Sequence, residues 1–161
     1  ANGGYAVKPH LFKANEPPKS DGPSPYPKMD LQQTWLDVCK HGMDLVCNHP
    51  RGTAYSARIA IPGMEMAGKT GSAQVRRITM AERATGVRKN EDIPWRQRDH
   101  ALFVAFAPVH EPRYAISVVI EHGGGGARYA GPIARDMLIE CQRRDPARRN
   151  PNNEGGRREM P

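Results

Sequence analysis

The chain has 161 residues, a formal net charge of +7 and a pI near 9.6, which is room for one domain with a real core and too little for two comfortable ones. No stretch approaches the roughly 20 apolar residues of a membrane-spanning helix, and no signal-peptide pattern stands at its start. The positive charge collects in 75–98 and at the C-terminus, without the interleaved aromatics of a base-stacking platform, so a solvated basic surface is expected and a nucleic-acid partner is not.

The chain opens abruptly on "ANGGYAVKPHL", which reads as the middle of a strand or loop and raises the expectation of a piece of a longer protein. Residues 1–28 carry Pro9, Pro17, Pro18, Pro23, Pro25 and Pro27 and are expected to form an extended connection. In the stretch 29–49, Leu31, Trp35, Val38, Gly42 and Leu45/Val46 recur in steps of four and three. That spacing predicts an amphipathic helix with this face inward, Asp30 as a candidate N-cap, and "NHPRG" (48–52) as its end. Cys39, His41, Cys47 and His49 superficially suggest a zinc pattern. Residues two apart on a helix point about 200° apart, so the spacing argues against a metal and for ordinary thiols.

The segment "IPGMEMAGKTGSAQV" (61–75) can be read in two frames. Gly63 to Thr70 spell the phosphate-binding G-x-x-x-x-G-K-T, which requires a helix after Lys69-Thr70. The sequence instead alternates: Gly71, Ala73 and Val75 fall on one face, and Thr70, Ser72, Gln74 and Arg76 on the other, the pattern of a strand. A basic loop (76–99) leads to two further strands, 100–109 and 113–122, joined by "HEP". A connection that short forces an antiparallel hairpin, so Glu121 does not end the parallel strand a nucleotide hydrolase would need. The Gly-rich run from Gly123 reads as a flexible turn, followed by a helix near Pro132 with Ile133, Met137, Leu138 and Cys141 inward. Residues 143–161 lack any apolar period and are expected to be a basic disordered tail. The order helix, strand, long loop, strand, strand, helix predicts an α/β (α+β) class, an antiparallel sheet flanked by helices within 29–142.

The second frame, Lys69-Thr70-Gly71-Ser72, is a K-T-G element of serine acyl-transfer enzymes. Together with "AGKTGSAQV", the long insert, "RDHALFVAFAPVHEPRYAISVVIEHGGGG", the upstream "GGYAVKPHL" and the Trp35/Gly42/Met43/Val46 helix, it resembles the C-terminal part of the transpeptidase domain of class B penicillin-binding proteins. Within that class the elongation-type penicillin-binding protein 2 branch is the most similar. The resemblance covers residues 1 to about 142 and implies a partial β-lactamase/transpeptidase-like fold. It also implies roles. Lys69 would place charge beside the catalytic hydroxyl network, and Thr70 and Ser72 would hydrogen-bond the terminal carboxylate of a D-Ala-D-Ala stem peptide or a β-lactam. The Ser72 amide would be half of the oxyanion hole, Gly71 would keep the strand uncrowded, and Gln74 would touch substrate. No cofactor or metal is implied. A rod-shape glycosyltransferase and scaffold proteins are implied as partners, and the periplasmic face of the bacterial inner membrane, anchored upstream of this chain, as the location.

The departure from the pattern is that none of Ser20, Ser24, Ser56, Ser72 and Ser117 is followed by Lys three residues later or Asn two later. The nucleophile motif S-x-x-K and the motif S-x-N are therefore absent, and the chain alone is expected to be silent. It is also expected to leave a sheet edge open to self-pairing. A serine β-lactamase or D,D-carboxypeptidase fragment, a non-catalytic binding module and a P-loop nucleotide-binding protein remain the alternatives.

Overall fold

The structure is a computed structural model and describes residues 2–7 and 26–146. Most of the Pro-rich connection and most of the basic tail lie outside the described residues. Two compact units divide inside the first helix, Ala1–Gly42 and Met43–Pro161. In the first unit Tyr5 pairs antiparallel with Lys28, and the Asn2 side chain accepts from the Gly4 and Tyr5 amides, closing the turn that precedes them.

Helix α1 runs from Gln33 to Asn48, starting three residues beyond the expected cap Asp30. Most of its expected inward face is instead exposed: Trp35 is 56% and Val38 71% accessible, with Leu31 and Leu45 also exposed, while Val46 of that face is half-buried against the core and Cys47 is the buried residue of the helix. The spacing makes an apolar stripe, but the described residues leave Leu31, Trp35, Val38 and Leu45 of it uncovered.

The second unit is built on a three-stranded sheet in the order β1-β2-β3: Ala67–Ala73, His100–Ala107 and Tyr114–Ile120. Both pairings are antiparallel, with Thr70 opposite Phe103 and Phe103 opposite Val118. Residues opposite one another share a face, so one face carries Ala101, Phe103, Ala105, Ile116, Val118 and Ile120. It packs into a core with Ala54, Ala57, Ala130, Ala134 and Leu138. The other face carries Lys69, Val104 and Val119, which are exposed, and ends on the buried pair Ala67 and Phe106. Phe103, Ile59, Met66 and Leu138 are fully buried, each worth about 1.5–3 kcal/mol relative to exposure.

A π-helical turn, Gly126–Ala130, delivers the chain into helix α3, Gly131–Arg143. The inward face of α3 is Gly131, Ala134, Leu138 and Gln142. Of the face expected from the sequence only Leu138 is buried, while Ile133, Met137 and Cys141 are exposed. Close approach decides the rotation: a Cβ on Gly131 would stand 3.0 Å from the Ala57 Cβ, so the smallest residues face in, and buried Gln142 donates to the Met64 carbonyl. Just past the helix, Asp145 is 1% exposed and receives Arg113 through two contacts of 2.8 and 3.2 Å, so ordered structure reaches past residue 142.

The segment 76–99 is more than a loop. Helix α2, Met80–Thr85, begins at Thr79, whose hydroxyl accepts from the Glu82 amide, and two single 3-10 turns follow. The Glu82 carboxylate takes both terminal nitrogens of Arg76 at 2.6 and 2.5 Å. That fork-to-fork bond holds its pKa down at about 2.

Candidate functional site

Strand β1 carries the K-T-G residues on an open edge, since among the described residues β2 is its sole neighbouring strand. The phosphate-loop frame fails here, because the residues after Thr70 continue as strand to Ala73 and no helix follows the glycine. Gly68 permits the strand to lie over the core: a Cβ there would stand 2.6 Å from the Phe103 ring. At Gly71 a Cβ would meet the Leu102 Cβ at 3.3 Å, a tight fit.

The register distributes the expected site residues over both sides of the edge. Thr70 and Ser72 lie opposite Phe103 and Ala101 and so belong to the face that α3 covers, whereas Lys69 lies opposite Val104 on the open face. The Thr70 hydroxyl is 3.4 Å from the Thr53 hydroxyl, and the Ser72 hydroxyl donates to the Gly124 carbonyl at 3.1 Å. Lys69 is exposed, turns its ammonium onto the Thr70 carbonyl at 2.7 Å, and has no carboxylate partner among the described residues. Gln74 folds back, donating to the Arg76 carbonyl. A ligand laid along the edge would meet a cation on one side and two hydroxyls on the other, with the outward backbone groups between them.

The surroundings of the strand are less legible in the sequence. The glycine run is a packed element: a Cβ on Gly126 would be 2.2 Å from the Leu102 carbonyl oxygen and 2.7 Å from that of Gly71, and Gly124 takes φ of +79°. Beyond Ser72, Asp99 receives the Val75 amide, while the Asn90 side chain accepts from the Asp99 amide and Gly124 donates to the Asp99 carbonyl. His122 stacks edge-on against Trp95 at 4.5 Å, and its ring Nδ1 meets the Arg98 carbonyl. These bonds pin 76–99 to the end of β1. Thr79 and Glu82, spaced as a capping box, are the one signal that would have revealed order there.

Comparison with known proteins bears directly on this strand. Residues 1–138 match the family model described as the penicillin binding protein transpeptidase domain. The chain is 34% identical over 143 residues to the peptidoglycan D,D-transpeptidase MrdA of Haemophilus influenzae, covering 85% of this chain and 21% of that protein. It is 32% identical over 149 residues to the MrdA protein of Escherichia coli, with the same two coverages. Among solved structures, Pseudomonas aeruginosa PBP2 in complex with WCK 5153 superposes with a TM-score of 0.63 at 32% identity, over 90% of this chain and 28% of that one. The Helicobacter pylori complex of PBP2 with MreC gives 0.55 at 32% identity, over 69% and 18%. The chain thus spans about a fifth of the length of the curated relatives it matches. With a mixed fold around an antiparallel sheet and the K-T-G residues on its open edge, the chain belongs to the penicillin-binding protein transpeptidase family.

Proposed function

We propose that this chain supplies one wall of a peptidoglycan D,D-transpeptidase site that cross-links cell wall by serine acyl transfer. The observation that carries the reading is Lys69-Thr70-Gly71-Ser72 in mid-strand on an open sheet edge. An extended stem peptide ending in D-Ala-D-Ala, or a β-lactam in its place, adds to that edge as a strand. Thr70 and Ser72 hold its terminal carboxylate, Lys69 sets a positive charge beside the reacting hydroxyl, and the Ser72 amide stabilises the oxyanion. Gly71 keeps the strand slim, and Gln74 reaches substrate on unfolding from the Arg76 carbonyl.

The 161 residues hold neither S-x-x-K nor S-x-N, so the nucleophile comes from another part of the protein and this chain alone does not acylate. The working location is the periplasmic face of the bacterial inner membrane, and the working partners are a rod-shape glycosyltransferase and scaffold proteins. Support for a scaffold partner is that a similar protein, H. pylori PBP2, has been solved in complex with MreC.

Labelling with fluorescent penicillin tests the reading. The 161-residue chain stays unlabelled, and a covalent band on it would overturn its assignment as a silent fragment. In the protein that also carries the S-x-x-K segment, Lys69→Ala abolishes labelling, and near-normal acylation there would remove Lys69 from its role.

A further inference from the structure

Three bonds fasten the turn after β3 to the residues that open β2. The His122 amide donates to His100 Nδ1 at 2.8 Å, the His122 ring Nδ1 meets the Arg98 carbonyl at 3.0 Å, and the Gly124 amide donates to the Asp99 carbonyl at 2.8 Å. His122 takes a φ of +56°, in the left-handed region that residues other than glycine seldom enter. Its ring lies 4.8 Å from that of His100 and 4.5 Å from that of Trp95. From the same turn the Gly124 carbonyl receives the Ser72 hydroxyl at 3.1 Å. A line of contact therefore runs from His100, which opens β2 opposite Ala73, through His122 and Gly124 to the K-T-G serine.

The partners fix where the ring protons sit. A backbone amide only donates, so His100 Nδ1 is a bare acceptor and the His100 proton is on Nε2; a carbonyl only accepts, so His122 carries its proton on Nδ1. A second proton on His122 fills Nε2 and leaves the bond to Arg98 intact. A second proton on His100 sets an N–H at Nδ1 against the His122 N–H and breaks that bond. The charged groups about the two rings are Arg98 and Asp99 on the 76–99 segment and Glu121 at the end of β3. Lys89, Glu91 and Arg128 stand around the cavity of about 380 Å³ that His122 lines together with Arg98 and Gly124. Among the described residues none of these groups is within ion-pair distance of either ring. The Asp99 carboxylate is taken by the Val75 amide and Asn90, so no carboxylate stands ready to hold a charged His100 in place.

We propose that His100 is a positioning residue for Ser72: neutral, it holds the His122 turn and with it the Gly124 carbonyl that orders the Ser72 hydroxyl, and protonated it lets the turn go. A ligand carboxylate then takes the hydroxyl proton over from the Gly124 carbonyl with the serine oxygen already in place, which is preorganisation of the site by its supporting bonds. This last step rests on the reading of β1 as the substrate edge, whereas the clamp itself does not.

Amide exchange, corrected for its intrinsic pH dependence, tests the clamp by NMR in the 161-residue chain from about pH 8 to about pH 5, the span in which histidines titrate. Protection at His122 and Gly124 is expected to fall about tenfold on acidification, the scale of one lost hydrogen bond, and the Ser72 resonances are expected to move with the same midpoint. His100→Asn, whose side-chain oxygen accepts from the same amide and does not titrate, should keep full protection across the range, and His100→Ala should have lost it already at pH 8. An equal acid loss in His100→Asn, full protection in His100→Ala, or Ser72 resonances that stay still while His122 is released would overturn the proposal. Penicillin acylation of the protein that also carries the S-x-x-K segment reads the consequence. At pH 8, His100→Ala is expected to acylate about fivefold more slowly and His100→Asn at close to the unmodified rate. Undiminished acylation in His100→Ala beside a slow Ser72→Ala would refute the positioning role. Undiminished acylation in Ser72→Ala itself would refute the reading of Ser72 in the substrate site, while the exchange data would still uphold the clamp.

Discussion

The two faces of the sheet are made from the same three strands and differ in what they meet. On the covered face every second residue of β2 is apolar and buried, from Ala101 through Phe103 to Ala105, in one core with Ala134 and Leu138 of α3. On the open face the alternate residues include Lys69, Val104 and Val119, of which Val104 is 44% and Val119 57% exposed. The covered face sets stability. The exposed positions of the open face and the β1 edge beside them contribute little to the fold, which is how a surface proposed to bind ligand could carry a cation and an unpaired backbone without unfolding its scaffold.

That contrast can be broken by substitution. The largest effect is expected from Phe103→Ala, which empties a fully buried ring site and should lower unfolding free energy in urea by about 3–5 kcal/mol. Gly126→Ala follows, at about 1–3 kcal/mol, because its methyl must push aside the Leu102 and Gly71 carbonyls. Amide NMR should place the shifts from Gly126→Ala on both strands.

Acid sharpens the comparison within the 76–99 segment. The folded pKa of Glu82 lies below its unfolded value, so its bond to Arg76 favours the folded segment above about 4.5. That contribution is lost as pH falls from there toward about 2. Hydrogen-exchange protection of the α2 amides should drop over that window while the β2–β3 hairpin keeps its protection, and Glu82→Gln should show the lowered α2 protection already at neutral pH. Parallel loss in α2 and the hairpin would contradict a separately held segment. The smallest effect belongs to Val104→Ala, at most about 1 kcal/mol in the same urea series. A loss matching that of Phe103→Ala would erase the difference between the faces.

The hairpin was readable because 100–107 and 114–120 are β-rich runs separated by a connector too short for a crossover. The K-T-G frame was readable because strand alternation after Thr70 excludes a helix. The rotation of α3 was not, since Ile133, Met137 and Cys141 make as good an apolar stripe as Ala134 and Leu138. What selected the latter was space beside Ala57 and the Met64 carbonyl, neither of which is a sequence neighbour. The same holds for α1, where periodicity identifies the apolar face without saying whether anything covers it.

By itself, then, the sequence determined the two long helices, the three strands, the antiparallel pairing and the residues of the β1 edge, because those follow from local periods and connector lengths, but not the short helix and turns within 76–99. Tertiary structure alone decided which face of the sheet is buried, that Lys69 and the two hydroxyls stand on opposite sides of one edge, and that Lys89, Arg98 and Arg128 share a cavity with Gly124. Those arrangements depend on the register between strands and on close packing at Gly68, Gly126 and Gly131, where residues far apart in the chain compete for the same few ångströms.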